Sequence, residues 1–168
     1  MSIETERKFL IRYPDTDMLL SMEGCACVQI EQVYLLNDSD NSDEERRIRH
    51  TVTNSEDRYY LTVKSRGDGF VRREDERGIS RDEYVSLSTL ADPLRQPIRK
   101  TRYKLPYNGR RVEIDIYPFW SDRAIAEVEL DSPDEELTLP PFITVIKEVT
   151  FEPEYKNSAL ARGSYKQM

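Results

Sequence analysis

The feature that most constrains this chain is a two-residue rhythm. If Ile3–Ile11 (IETERKFLI) is extended, Glu4, Glu6 and Lys8 fall on one face, with Leu10 continuing it. Ile3, Thr5, Arg7, Phe9 and Ile11 fall on the other. One such strand only predicts a charged side turned to water. Here the pattern recurs at least six more times, with turn residues between the repeats. It predicts strands at Cys25–Leu36, Glu45–Val52, Arg58–Ser65, Phe70–Ile79, Ile98–Leu105, Arg111–Tyr117 and Arg123–Leu130, with a short one at Ile143–Thr150. Arg66-Gly67-Asp68-Gly69 and Asn108-Gly109 are hairpin signals, so neighbouring strands should pair antiparallel.

Two stretches leave the rhythm. Ser80 is followed three residues later by Glu83, a capping-box signature, and Tyr84, Leu87, Leu90 and Ala91 then recur at helical spacing. A helix is expected from Ser80, ending before Pro93. A terminal helix is expected at Glu154–Gln167, interrupted by Gly163, and short helical turns at 17–22 and 132–136. The 37–43 stretch reads as a polar, acidic loop.

Length and composition set outer bounds. The 168 residues suit a single domain spanning 1–168. A net charge of −7 argues against general coating of nucleic acid, and no apolar run reaches the ~20 residues of a membrane helix. The N-terminus lacks the charged-then-apolar order of a signal segment. Cys25 and Cys27 form a C-x-C pair, and His50 is the only histidine. That inventory argues against a cysteine-based zinc site and favours reduced thiols in a cytoplasm.

The charged faces gather acids (Glu4, Glu6, Glu74, Glu76, Glu113, Asp115, Glu127, Glu129) and bases (Lys8, Arg47, Arg49, Lys64, Arg72, Lys100, Arg102, Lys104) in similar number. In a sandwich they would face solvent. In a closed barrel they would line the interior, and a charged interior is tolerable only when wet or filled by compensating ions. A polyanion arriving with a divalent metal matches such a lumen. Guanidinium forks and ammonium groups hold phosphate oxygens, and paired carboxylates are hard ligands for Mg²⁺ or Mn²⁺.

Glu4-Thr5-Glu6-Arg7-Lys8 resembles the E-x-E-x-K signature of the CYTH family, the triphosphate tunnel metalloenzymes. The resemblance continues in order through Arg47-Ile48-Arg49, Thr62-Val63-Lys64, Arg72 to Glu76, Lys100 to Tyr103, Glu113-Ile114-Asp115, Glu127-Val128-Glu129, Glu148-Val149-Thr150 and Tyr155 to Ala161. It implies a closed eight-stranded antiparallel β-barrel, β by class and α+β by content, with peripheral helices and a C-terminal helix (about 154–167) plugging one mouth. It implies Glu4, Glu6, Glu127 and Glu129 as metal ligands, assisted by Glu113 and Asp115. Lys8, Arg47, Arg49, Lys64, Lys100 and Arg102 would hold phosphate oxygens. Glu4, Glu6, Lys8, Arg49 and Lys64 would carry catalysis. Arg72, with Glu74 and Glu76, is either a phosphate contact or part of a structural ion pair, and Tyr34 either touches substrate or packs. Lys156, Arg162 and Lys166 of the terminal helix are either phosphate contacts or solvent-exposed.

Among family activities, the length and the C-terminal pattern look most like those of short bacterial inorganic tripolyphosphatases. A cytoplasmic monomer or homodimer using Mg²⁺ or Mn²⁺ is the corresponding expectation. Class IV adenylate cyclase, thiamine triphosphatase and a non-catalytic polyphosphate or nucleotide binder are the alternatives.

Overall fold

The computed structural model describes residues 2–37, 44–65, 71–132 and 134–168, with backbone alone for Ser2, Ile3, Glu4, Val71 and Arg72. Among the described residues nine strands form one sheet: β1 (Ser2–Arg12), β2 (Ala26–Tyr34), β3 (Glu44–Thr53), β4 (Glu56–Ser65), β5 (Val71–Ile79), β6 (Ile98–Tyr107), β7 (Arg110–Ile116), β8 (Arg123–Glu129) and β9 (Val145–Glu148). Their order is β5-β4-β3-β2-β6-β7-β8-β1-β9, and every pairing is antiparallel. β1 has three partners. Ser2–Thr5 pair with β5, Glu6–Arg12 pair with β8, and Phe9–Ile11 also pair with β9.

The sequence logic of the hairpins holds where it can be seen. Asn108 (φ 50°) and Gly109 (φ 72°) both take positive φ between β6 and β7, the geometry that Asn-Gly favours in a two-residue hairpin. The Arg66–Gly69 turn lies outside the described residues, as does most of the 37–43 loop.

The apolar outer face is covered in patches. α1 (Thr16–Ser21) sets Leu19 against Phe9, Ile11, Leu105 and Ile114, and Ile143 packs into the same core. α2 (Arg81–Ser88) lays Tyr84 and Leu87 over Val33, Leu35 and Ile48. A third core gathers Leu10, Tyr34, Tyr117, Trp120 and Ile125 under Tyr155 and Leu160 of the C-terminal segment.

Three expectations need correction. Among the described residues the sheet has nine strands rather than the eight of the implied barrel; the ninth, β9, is the short strand the sequence predicts at Ile143–Thr150, added to β1. α2 stops at Ser88, four residues before Asp92, where the Ser88 and Thr89 hydroxyls donate to the Val85 and Ser86 carbonyls and Ala91 bridges to Leu35. Ser80 caps it as expected, its Oγ accepting from the Glu83 N–H at 3.0 Å. The Glu83 carboxylate, however, accepts from Arg77 at 2.6 Å.

The third correction concerns the C-terminal helix. It is three pieces: a 3₁₀ turn at Pro153–Tyr155, α3 at Asn157–Ala161 and a 3₁₀ turn at Ser164–Gln167. Gly163, at φ 95°, ends α3 in the left-handed region where a glycine is at least cost. Among the described residues no helix is long and apolar enough to cross a membrane.

Candidate active site

Strand alternation puts the even-numbered positions of β1, β6 and β4 and the odd-numbered positions of β3, β7 and β8 on one concave face. A cavity of about 230 Å³ opens there, lined by Glu6 and Lys8 (β1), Tyr34 (β2), Arg47 and Arg49 (β3), Lys64 (β4), Arg102 (β6), Glu113 (β7) and Glu127 and Glu129 (β8). Ten of the fourteen expected site residues thus share one cavity. A second cavity of about 320 Å³ shares Arg49, Glu76, Arg102 and Lys104 with the first, so the charged face runs on past it.

Four expected residues stand apart. The side chains of Glu4 and Arg72 lie outside the described residues, although the register sets Glu4 opposite Arg72 across β1 and β5. Lys100 and Asp115 sit beneath the cavity wall, each about 1% exposed and joined at 2.8 Å. Asp115 also takes a two-pronged grip from Arg102, Nε to Oδ1 at 2.7 Å and an η nitrogen to Oδ2 at 2.9 Å. Both Asp115 oxygens are therefore committed to cations, and the Lys100 ammonium is drawn to Asp115 and lies 5.7 Å from the Tyr117 ring centroid. In this geometry the pair anchors Arg102, whose remaining fork reaches Glu113 at 3.2 Å.

Charge compensation decides the protonation states. Burial opposes ionisation of Asp115, but Arg102 and Lys100 outweigh it and hold the carboxyl well below the usual carboxylate range. Burial likewise opposes Glu127, and Lys8 at 3.5 Å is the largest counterweight, leaving it at about 2. Burial pulls Lys100 down to about 8 against the attraction of Asp115. Arg49 is brought to about 10 by burial and by the neighbouring Arg47, with Glu76 pulling the other way. Glu76 accepts from Arg49 at 2.9 Å and from the Thr62 hydroxyl at 2.8 Å, so it takes part in an ion pair within the structure. Burial lifts the Tyr34 phenol to about 12, keeping it a neutral donor; its oxygen also accepts from Gln32 Nε2 at 3.0 Å.

The donor set suits both halves of a metal-bound polyanion. The buried Arg49 Nε has no hydrogen-bond partner among the described residues, an N–H that an anionic oxygen would satisfy. On the acidic side, Glu6 lies directly opposite Glu129, and Glu113 directly opposite Glu127. Like charges paired across strands repel; Lys8 beside Glu127 and Arg102 beside Glu113 offset part of that, and a hard cation would offset more. Among the described residues no three acidic, His or Cys side chains are grouped closely enough to chelate a cation alone. A cation here would complete its shell with oxygens from elsewhere, such as those of a phosphate or water.

A CYTH domain model matches residues 2–158. The chain belongs to the CYTH family. This CYTH protein is 34% identical over 162 residues to the inorganic triphosphatase of Nitrosomonas europaea, covering 94% of this chain and 96% of that one. It is 31% identical over 167 residues to the inorganic triphosphatase of Acetivibrio thermocellus, covering 99% and 97%. The crystal structure of the inorganic triphosphatase NE1496 superposes with a TM-score of 0.60 at 30% identity, over 96% of each chain.

Some residues lining the cavity of this CYTH protein were missed by sequence reasoning. Glu45 and Lys104 line the cavity, and strand alternation had already put each on the charged face, beside Arg47 and Arg102. Thr150, Glu152, Asn157 and Ser158 also line it, together with Lys156, which the sequence left between phosphate contact and solvent. Thr150, Glu152 and Lys156 come from irregular backbone, and Asn157 and Ser158 from the first turn of a five-residue helix too short for a periodic signal, so nothing local shows which way these side chains point.

Proposed function

We propose that this protein hydrolyses inorganic tripolyphosphate to pyrophosphate and phosphate with the help of Mg²⁺ or Mn²⁺. The observation that carries this reading is the pairing, within one cavity, of two directly opposed carboxylate pairs with a wall of Lys and Arg side chains. A simple anion binder has no use for the carboxylates. The relatives named inorganic triphosphatases, matched over nearly their whole length, support the same choice. The pairing of β1 with β5 supports the further reading that eight of the strands close into a tunnel, with β9 added outside the ring.

In this proposal Lys8, Arg47, Arg49 and Lys64 hold the non-bridging phosphate oxygens and stabilise the charge that shifts onto them as the terminal bond breaks. Arg102, held rigid by Asp115, presents a fixed part of the same wall. Glu4, Glu6, Glu127 and Glu129 would hold the divalent ion, which supplies charge neutralisation and activation of water. Water attacks the terminal phosphorus, the bridging oxygen leaves with pyrophosphate, and the proton lost by water ends on the products or solvent. The side chains lining the cavity include neither His nor Cys, and no covalent phosphoryl-enzyme step is invoked.

The test is phosphate release from tripolyphosphate, ATP, thiamine triphosphate and pyrophosphate, each with Mg²⁺, Mn²⁺ or EDTA. Fast, metal-dependent release from tripolyphosphate, well above ATP, is expected. Conversion of ATP to cyclic AMP and pyrophosphate with little orthophosphate would replace the reading by a cyclase, and absence of turnover with any of the four would remove the enzyme claim.

A further inference from the structure

Arg95 belongs to no strand or helix and does not line the cavity, yet it touches two residues that do. Its side chain is 11% exposed. Nε donates to Asp92 Oδ2 at 2.9 Å, and an η nitrogen donates to the Leu35 carbonyl at 3.3 Å. The other η nitrogen stands 3.6 Å from Glu45 Oε2, and the guanidinium carbon lies 4.8 Å from the centre of the Tyr34 ring. The segment carrying Arg95 is itself tied down: the Asp92 N–H donates to the Tyr34 carbonyl at 2.9 Å, and the Gln96 N–H donates to the Ala161 carbonyl at 2.8 Å.

We propose that Arg95 is a positioning residue for the triphosphate site, holding Glu45 and Tyr34 so that the cavity wall can accept a polyanion. The inference rests on the triphosphate reading of that cavity. Glu45 is its weak point. It is a carboxylate in the wall, directly opposite Lys64 and two residues from Arg47 on the same face. A negative charge there repels incoming phosphate and competes with it for Lys64. Arg95 draws the Glu45 carboxylate toward a buried cation outside the cavity and offsets its charge. Its guanidinium also stacks against Tyr34, which lies opposite Arg47 in register. A purely structural staple would need Asp92 and Leu35 alone; the contacts to Glu45 and Tyr34 give Arg95 a reason to affect the substrate.

The experiment compares wild type, Arg95→Met, Arg95→Lys, Glu45→Gln and the Arg95→Met/Glu45→Gln double variant. KM and kcat for tripolyphosphate with Mg²⁺ are measured at low and high salt, together with tripolyphosphate affinity by calorimetry and melting temperature. Arg95→Met should raise KM and weaken binding about 5- to 10-fold at low salt, with kcat within about twofold, and the defect should shrink as salt screens Glu45. Adding Glu45→Gln should restore most of the affinity while leaving any loss of melting temperature in place, and Arg95→Lys should fall between. Unchanged affinity in Arg95→Met, or a defect that Glu45→Gln does not relieve, overturns the proposal. If Arg95→Met does not fold, Glu45→Gln alone decides: it should tighten tripolyphosphate binding about 2- to 3-fold at low salt, and unchanged or weaker binding overturns the inference. Wild type that binds tripolyphosphate without turnover would sink the enzyme reading while still testing Arg95 by affinity; wild type that does not bind it would sink both.

Discussion

Glu6 and Asp115 show how position separates two carboxylates of the same alternating pattern. Glu6 faces Glu129 across β1 and β8 in the cavity, whereas both oxygens of Asp115 are held by Lys100 and Arg102 below it. The two should fail in different ways. Glu6→Ala is expected to lower kcat/KM for tripolyphosphate by more than about 100-fold while the melting temperature stays near wild type, because it removes a proposed cation ligand from an accessible face. Near-wild-type rates would remove Glu6 from the catalytic set. Asp115→Asn leaves two buried cations without their shared counter-charge and is expected to cost about 3–5 kcal/mol of stability in metal-free protein, read by denaturant unfolding. If instead only metal affinity changed, Asp115 would be a ligand and its ion pairs incidental. Arg49→Ala should lower turnover by roughly 10²-fold, as expected for loss of one donor aimed at developing charge. Loss of folding instead would assign Arg49 a structural role beside Glu76.

At the scale of elements, strands carry most of the charged groups of the cavity, and short pieces near the C-terminus complete its wall. β3 alone supplies Glu45, Arg47 and Arg49 from one face, which is the direct consequence of a two-residue repeat. The C-terminal segment supplies Asn157 and Ser158 from a five-residue helix held by the Tyr117 hydroxyl, which meets Asn157 Oδ1 at 2.5 Å, and by stacking of Tyr165 on Phe119 at 3.9 Å. Gly163 keeps that segment turning, and Gly163→Ala should destabilise the protein by about 1 kcal/mol, because a side chain there is forced into left-handed backbone. The check is a chemical denaturation curve, with an unchanged midpoint counting against a strained C-cap. The sequence placed Gly163 as an interruption in a helix, but the breaks around Lys156 were illegible, since caps there depend on docking against Tyr117 and Trp120 rather than on local residue preference.

For the whole molecule, the balance of buried charge sets a pH limit. Glu127 at about 2, against 4.5 for an ordinary glutamate, and the similarly lowered Asp115 mean that the unfolded chain binds more protons than the folded one in mild acid. Their contribution is complete above about pH 5 and is lost as pH falls toward 2. Melting temperature followed from pH 7 to pH 3 should therefore decline below about pH 5. A flat profile would show that these carboxylates do not ionise in the fold as described.

Most of the strands and the charged face were legible, because alternation and hairpin residues are local signals that any sheet must obey. By itself the sequence determined which residues share the face with Glu6, Lys8, Arg47 and Arg49, and it placed Ser80 as a helix cap and Asn108-Gly109 as a tight turn. Only the tertiary structure decided which members of that face line the cavity. It withdrew Lys100 and Asp115 into a buried ion pair, brought Glu45 and Lys104 into the wall, and set Arg95 behind it. The physical reason is that alternation fixes the side of a sheet, whereas depth, partners and solvation depend on which strands and segments pack together across the fold.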